Sequence, residues 1–162
     1  TVRSALGKFS SSGRKREVCG DPSRKKAGNG SLMRLTPVAM AYGLLPKETL
    51  QVAIDFCGLS SETTHAAPQC IDACKYYGGL IIGALLGESK ETLLSPYYSP
   101  IEGYYQKHKL DLEIIPIVEG DYKTLNPPDI AGRGYVVKSM PSGWKRDALA
   151  PIWSSAWSTT VP

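Results

Sequence analysis

The chain has 162 residues, a length that fits one domain and suffices to bury a hydrophobic core. Apolar residues make up 42% of it and charged residues 21%, which is typical of globular proteins and excludes an intrinsically disordered chain. The net charge of +4 is modest, and much of it lies in two clusters, at residues 14–16 and 24–26. Because no aromatic residue lies between them, these clusters favour a solvated loop over a nucleic-acid partner.

The amino-terminal residues predict a helix followed by a long loop. Apolar side chains at helical spacing predict the helix over residues 1–9. Residues 10–30 are rich in Ser, Gly, Lys and Arg, and we expect them to form an exposed loop. A loop of this length is uncommon inside a compact domain unless it has a function.

Two helices are predicted after this loop. Thr36 as the cap and Pro37 in the first turn predict a helix that ends at Gly43. Pro46 then opens a second helix, which Gly58 is expected to close. The buried stripe of the second helix is expected to consist of Leu50, Ala53, Ile54 and Cys57.

The strongest helix prediction covers residues 66–86. Steps of four and three place five side chains on one stripe: Cys70, Cys74, Tyr77, Ile81 and Ala84. Gly79 and Gly83 lie one turn apart and would allow a second helix to cross closely. The candidates for its amino-terminal cap are Ser60, Ser61, Thr63 and Thr64.

The remaining segments predict short helices and loops. A helical start at residues 88–94 is followed by a stretch rich in proline and tyrosine. Residues 110–120 alternate weakly, as a strand would, but Pro116 argues against a sheet. Another helix is expected within residues 132–140, with Pro141 breaking it. The predicted fold class is therefore all-α, with short helices that cross at steep angles.

The cysteines and the lack of long apolar runs indicate the compartment in which the chain is expected to be found. Four cysteines occur, and none forms a Cys-x-x-Cys pair: Cys19, Cys57, Cys70 and Cys74. We expect small buried thiols rather than a zinc site, and a reducing, intracellular compartment, either cytoplasm or nucleus. No signal peptide is evident, and the apolar run at residues 76–86 is too short to span a bilayer, so no membrane partner is expected. The chain begins with Thr1 rather than methionine, which favours a piece of a longer protein.

The segment AGNGSLMRLTP, residues 27–37, could carry chemistry. As structure alone, Asn29-Gly30 is a turn signal. As a site, glycines let the backbone approach a ligand closely, and successive amide N–H groups before a helix can bind an anion. Ser31 would add a hydroxyl, and Arg34 would add a cation suited to phosphate or to a buried carboxylate. No Gly-Lys-Ser/Thr follows the glycines, so the segment is not a Walker P-loop.

A second candidate segment is SSETTHAAPQCIDAC, residues 60–74. If its histidine, His65, has a purely structural role, it is a helix cap or a buried core residue whose ring nitrogens are hydrogen-bonded. As a site, it would lie on the loop side of the long helix and donate to a phosphate or ribose oxygen. The local sequence leaves both interpretations open.

Together these segments resemble a known family. The run AGNGSLMRLTPVAMAY, then SSETTHAAPQCIDACKYYGGLIIGALLG with KETLLS, then EGDYKTLNPPDIAGRGYVV is similar to the central part of the ADP-ribosylglycohydrolase family. The similarity keeps the same order over residues 27–138, and residues 139–162 form a divergent, tryptophan-rich tail. The resemblance implies one partial domain over residues 1–162, an incomplete all-α bundle of orthogonal helices.

The resemblance also implies a function and a set of ligand-binding residues. Family members bind ADP-ribose in a cleft and hydrolyse its glycosidic bond to a modified protein side chain or a related acceptor. Met33 and Arg34 would support the Gly-Asn-Gly-Ser loop from behind. The residues expected to contact the ligand are Gly28, Asn29, Gly30, Ser31, His65, Gly132, Gly134 and Tyr135.

A further implication is Mg²⁺, which the family holds as two ions through two acidic motifs. Hard cations require oxygen ligands in a tight group. The seven aspartates of this chain include no Asp-Asp or Asp-x-Asp, and no two are closer than eight positions. The metal ligands and the catalytic residues are therefore not identified in this chain, and we expect little magnesium-dependent turnover from it.

Three hypotheses for function follow from the sequence. The first is a hydrolase of N- or O-linked ADP-ribose that uses metal-assisted water attack and is impaired in this chain alone. The second is a catalytically inactive module that binds ADP-ribose. The third is a truncated fragment, whose missing helices would leave apolar faces exposed.

Overall fold

A computed structural model describes residues 1–13, 17–125 and 134–144, the last three through their backbone only. Within these ranges the chain forms helices and no strands, so the all-α prediction is confirmed. Single turns of 3-10 helix lie at Arg24–Lys26, Lys47–Thr49 and Asp121–Lys123. The α-helices are α1 (Val2–Ser11), α2 (Gly30–Met33), α3 (Thr36–Gly43), α4 (Leu50–Glu62), α5 (Pro68–Leu85), α6 (Lys90–Leu93), α7 (Tyr104–Lys107), α8 (Ile115–Glu119) and α9 (Val136–Trp144).

Helix α5 lies at the centre of the fold, between two apolar clusters. Helices α3 and α4 pack on one side of it, whereas α8 and α9 belong to the cluster on the other side. The predicted stripe on α5 was therefore too narrow, because a helix covered from two sides buries most of its circumference. Further buried residues of α5 are Ala73, Tyr76, Leu80 and Ile82.

Helices α4 and α5 pack closely at a glycine other than the predicted ones. A Cβ atom on Gly78 would lie 2.5 Å from the Sγ of Cys57 in α4. Gly79 faces a proline of the following loop, and Gly83 faces the ring of Tyr98. The prediction that a helix crosses there is wrong at Gly79, whereas at Gly83 the short helix α6 approaches through Leu93 beside Tyr98.

Helix α4 extends past the residue that was expected to close it. It continues through Gly58 to Glu62, and a Cβ on Gly58 would lie 2.6 Å from Cε of Lys75 in α5. The glycine therefore serves helix packing rather than helix termination. Ser60 and Ser61 consequently lie inside α4, and α5 begins at Pro68 without a side-chain cap, so the predicted caps are wrong.

Two further helix boundaries also differ from the prediction. Thr36 is the first residue of α3, and Leu35, rather than Thr36, occupies the cap position. Helix α9 continues through Pro141, which was expected to break it. The proline costs one hydrogen bond, and the buried side chains of Val136 and Met140 anchor the helix on the core.

The segment between α1 and α2 is less exposed than predicted. Cys19 is buried, and the amide of Gly20 donates to the carbonyl of Glu62 at the end of α4 (3.0 Å). The segment is therefore attached to the core, and its later part begins the 3-10 turn at Arg24–Lys26.

Other expectations agree with the structure. The four cysteines are buried, and burial raises the pKa of the Cys57 and Cys70 thiols to about 12. Pro116 lies in the first turn of α8, which confirms a helix rather than a strand there. Among the described residues, none of the helices combines the length and apolar character needed to cross a membrane.

Replacing Gly78 with alanine tests the packing of α4 on α5. We expect Gly78→Ala to lower the free energy of unfolding by about 1–3 kcal/mol, because the new methyl group overlaps the Cys57 thiol. Gly7→Ala in α1 is the control, since a Cβ there meets no atom within 4 Å and should stabilise the helix by about 0.5–1 kcal/mol. Urea unfolding measures both, and equal effects of the two substitutions would contradict the packing.

Candidate functional site

The Gly-Asn-Gly-Ser segment forms a loop, residues 27–31, that is joined by its backbone to the start of α9. We call this segment the glycine loop. Gly28 pairs with Tyr135 in an isolated antiparallel bridge. The amide of Asn29 donates to the carbonyl of Gly134 (2.9 Å), and the amide of Val136 donates to the carbonyl of Ala27 (2.9 Å). We call these two hydrogen bonds the backbone joint.

Side chains reinforce the backbone joint. Asn29 donates from Nδ2 to the Oγ of Ser139 (3.0 Å), which itself donates to the carbonyl of Tyr135 (3.0 Å). On the α5 side, the Cys70 thiol donates to the carbonyl of Gly28 (3.4 Å). The side chain of Asn29 therefore holds α9, which leaves the loop backbone as the part that can face a ligand.

The imidazole of His65 packs directly against the two glycines of the loop. A Cβ on Gly30 would lie 3.0 Å from its Cε1, and a Cβ on Gly28 would lie 3.5 Å from its Nε2. The residue is only 2% exposed, and its Nδ1 forms a hydrogen bond with Oγ1 of Thr64 (2.8 Å). The structure thus brings His65 to the glycine loop, and the absence of side chains at the glycines makes this contact possible.

The environment of His65 keeps its ring neutral near pH 7. Burial and the positive charge of Arg34 lower the pKa of His65 below its ordinary value of 6.5. A neutral imidazole can pack against backbone without a buried charge, and the nearby Thr64 hydroxyl satisfies one of its nitrogens.

Of the two residues expected to support the glycine loop from behind, only Arg34 is placed to do so. Its Nη2 donates to the carbonyl of Ser60 (2.6 Å) and to Oγ1 of Thr63 (3.0 Å), so it binds the carboxyl end of α4 next to His65. The expectation for Met33 is wrong, because its side chain is 79% exposed.

Ser31 is buried beneath the loop surface. The residue is 1% exposed, and among the described residues its buried hydroxyl has no hydrogen-bond partner. The first hydrogen bond of α2 runs from the Met33 amide to the Asn29 carbonyl (3.2 Å). The Ser31 amide lies before this bond and therefore has no acceptor within the helix.

The structure therefore brings together most of the residues expected to bind the ligand. One of them, Gly132, lies outside the described residues, as do the tryptophans Trp153 and Trp157 of the tail. The other expected ligand residues lie together, either at the backbone joint or packed against the glycine loop. They are Gly28, Asn29, Gly30, Ser31, His65, Gly134 and Tyr135.

A polar cluster beside the glycine loop was missed by the sequence analysis. Glu113 accepts hydrogen bonds from the Tyr135 hydroxyl, from Gln69 Nε2 and from Arg24 Nη2, each at 2.6 Å. Arg24 also binds Asp111 through both of its terminal nitrogens, at 2.7 and 2.9 Å. We call these residues the Glu113 cluster. Its members are scattered along the chain without a motif. The basic cluster that contains Arg24 predicts a solvated loop, whereas the structure places Arg24 in the Glu113 cluster.

Hydrogen bonds set the protonation states of the Glu113 cluster. Donation by Tyr135, then by Gln69 and Arg24, lowers the pKa of Glu113, and the Arg24 guanidinium lowers the pKa of Asp111. Burial, and secondarily the Glu113 carboxylate, raises the pKa of Tyr135 to about 12. Both carboxylates are therefore charged, and the phenol is neutral, at pH 7.

The described residues do not fit the magnesium site expected from the family resemblance. Among them, no group of three or more His, Cys, Asp or Glu side chains is placed to hold a metal ion. Asp111 and Glu113 are bound to Arg24, and Asp72 accepts the backbone amide of Asp111 (2.6 Å). Their oxygens are used in internal contacts, so no chemical step is assigned to a metal here.

Comparison with known proteins identifies the class to which this fold and site belong. The family model for ADP-ribosylglycohydrolase matches residues 1–150. The chain therefore belongs to the ADP-ribosylglycohydrolase family, and the resemblance stated from the sequence is confirmed.

Two curated relatives narrow the comparison. The chain is 24% identical over 155 residues to a protein of Serratia proteamaculans (strain 568) named ADP-ribosylarginine hydrolase Tri1, covering 96% of this chain and 37% of that protein. It is 29% identical over 135 residues to a protein of the same name from Pseudomonas putida (strain GB-1), covering 83% of this chain and 31% of that one. The chain thus spans about a third of the length of the curated relatives it matches.

Acid titration tests the Glu113 cluster. The folded pKa of Glu113 lies below its ordinary value of 4.5, so its stabilising contribution is present above that value and is lost as the pH falls through the folded pKa. We expect Glu113→Gln to be less stable than the wild type above about pH 5, with the difference shrinking toward pH 3. Urea unfolding at a series of pH values measures this difference.

The control for this titration is Glu119→Gln, which changes an exposed carboxylate that accepts the Tyr97 hydroxyl. A stability difference between wild type and Glu113→Gln that stays constant from pH 7 to pH 3 would contradict the charged state of Glu113.

Proposed function

We propose that this chain provides the ADP-ribose-binding part of a hydrolase that cleaves the bond between ADP-ribose and a modified arginine side chain. The observation that carries the proposal is the convergence of three separate segments, since the glycine loop is joined to Gly134–Tyr135 on one side and packs on His65 on another. Family membership supports the hydrolase, and the names of the two relatives support arginine as the acceptor.

The glycine loop offers an anion such as the diphosphate of ADP-ribose a surface of backbone groups. His65 fills the inner side of the loop, so a ligand would contact the opposite side, where Gly28, Asn29 and Gly30 are partly exposed. Of these three residues, Gly28 and Asn29 already donate their amides to the carbonyls of Lys26 (2.8 Å) and Gly134 (2.9 Å). A phosphate oxygen can approach the Gly30 amide at the start of α2 closely, because glycine has no side chain. The partly buried ring of Tyr135 borders the same loop and would limit where the ribose lies.

The part that His65 plays in this proposal is to position the loop. Its ring is buried behind the glycines and neutral at pH 7, which favours packing over donation to a ligand. Arg34 then holds the end of α4, from which His65 follows, through its bonds to Ser60 and Thr63. This role suits binding and orientation of the nucleotide sugar.

Hydrolysis of the glycosidic bond demands more than binding. Positive charge develops at the sugar carbon as the bond breaks, and in this family Mg²⁺ is expected to activate the water that attacks it. The described residues supply no fitting set of ligands for that ion. A second candidate function is therefore a module that binds ADP-ribose without turning it over, and the internal use of Asp111 and Glu113 favours it for this chain alone.

Calorimetry with ADP-ribose tests the proposed binding. We expect the wild type to bind whether or not Mg²⁺ is added, and Gly30→Val to bind at least about 10-fold more weakly, because the new side chain pushes the loop off His65. Gly7→Val is the control, since a Cβ at Gly7 meets no atom within 4 Å. The absence of measurable heat for the folded wild type would refute the binding proposal.

Product release tests the catalytic part separately. With an ADP-ribosylated arginine peptide and Mg²⁺, we expect this chain to release ADP-ribose no faster than Gly30→Val does, because its described residues hold no group of side chains placed to bind a metal ion. Chromatographic measurement of free ADP-ribose gives the rate. Rapid release by the wild type and slow release by Gly30→Val would show that the chain is an active hydrolase.

A further inference from the structure

We propose that Glu113 is a positioning residue that fixes the glycine loop through Arg24, which precedes the loop, and Tyr135, which pairs with it. The inference rests on the proposed function, because it concerns the geometry of the ADP-ribose site. It assigns a role to a residue that would not itself contact the ligand.

One carboxylate group links three distant segments. Its Oε1 accepts the Tyr135 hydroxyl, and its Oε2 accepts both Gln69 and Arg24, all at 2.6 Å. Bonds to a charged acceptor are stronger than neutral ones, and three donors in different directions leave the carboxylate little freedom to rotate. Glu113 therefore fixes these three side chains relative to one another.

Two of the three donors flank the glycine loop. Tyr135 is bridged to Gly28 through its backbone, so the ring and the backbone of this residue are held at two points. Arg24 begins the 3-10 turn that leads directly into Ala27. The amino side of the loop is therefore held through Arg24, and the backbone segment that pairs with the loop is held through Tyr135.

The third donor connects Glu113 to the core. Gln69 lies in the first turn of α5 and is fully buried. The Glu113 backbone is also fixed, because its amide donates to Oδ1 of Asp111 (3.0 Å) and the next residue, Ile114, is fully buried. Glu113 thus connects Arg24 and Tyr135, which adjoin the glycine loop, to the central helix.

Hydrogen exchange in the free protein tests this role without a ligand. The amides to follow are Asn29 and Val136, which form the backbone joint. We expect Glu113→Ala to speed exchange at both by about 10-fold, the size expected for losing hydrogen bonds to a charged group. Tyr135→Phe is the second variant, because it removes only one hydroxyl and so is expected to keep the fold even if Glu113→Ala does not. It should also speed exchange at Asn29 and Val136.

The matched controls are Glu119→Ala and Tyr97→Phe. Each removes an exposed hydrogen bond from a tyrosine hydroxyl to a glutamate (2.8 Å) that involves no residue of the loop. They should leave exchange at Asn29 and Val136 unchanged. Unchanged exchange in the Glu113 and Tyr135 variants would overturn the proposal. Equal acceleration of all amides would also overturn it, because that result indicates loss of global stability rather than loss of local positioning.

Calorimetry with ADP-ribose gives the functional half of the test. Glu113→Ala should weaken binding by about 10-fold, and adding Tyr135→Phe to it should weaken binding little further, because both changes break the same link. Independent, multiplicative effects of the two changes would overturn the link. A wild type that binds no ADP-ribose would refute the proposed function alone, since the exchange result stands without a ligand.

Discussion

Two hydrogen bonds between the glycine loop and the start of α9 determine the geometry on which the site depends. They join Asn29 to Gly134 and Ala27 to Val136, and the neighbouring side-chain bond from Asn29 to Ser139 spans 110 positions. Closing a loop of that length costs about 4 kcal/mol in chain entropy, whereas each bond contributes only about 1 kcal/mol. The joint therefore exists because α9 packs on α5 through buried residues such as Val136 and Met140.

The same loop also depends on what lies beneath it. His65 can pack on the backbone only because residues 28 and 30 have no side chain, and Arg34 fixes the end of α4 that leads to the histidine. The inner side is therefore filled by protein, and the outer side presents backbone to solvent. This division between a packed side and an open side is what a rigid anion site requires, because amides held in place lose little entropy on binding.

Local patterns predicted the helices well and their ends poorly. The apolar periodicity of residues 66–86 matches α5, but Gly58 and Pro141 were taken as helix breakers and lie within helices, because tertiary packing outweighs their local cost. The glycine loop was recognisable from the sequence because its residues are contiguous, and His65 was a candidate because it lies in a second segment of the same family resemblance. The Glu113 cluster was not, because its hydrogen bonds join side chains that only the folded chain brings together.

The proposed binding site for ADP-ribose is the outer surface of the glycine loop. Titration of the labelled protein with ADP-ribose, followed by backbone amide chemical shifts, locates the ligand directly. The account predicts saturable shifts concentrated at Gly28, Asn29, Gly30 and Tyr135, with smaller shifts in α1, which makes no part of the site. Saturable shifts centred away from these residues, with the glycine loop unaffected, would contradict it.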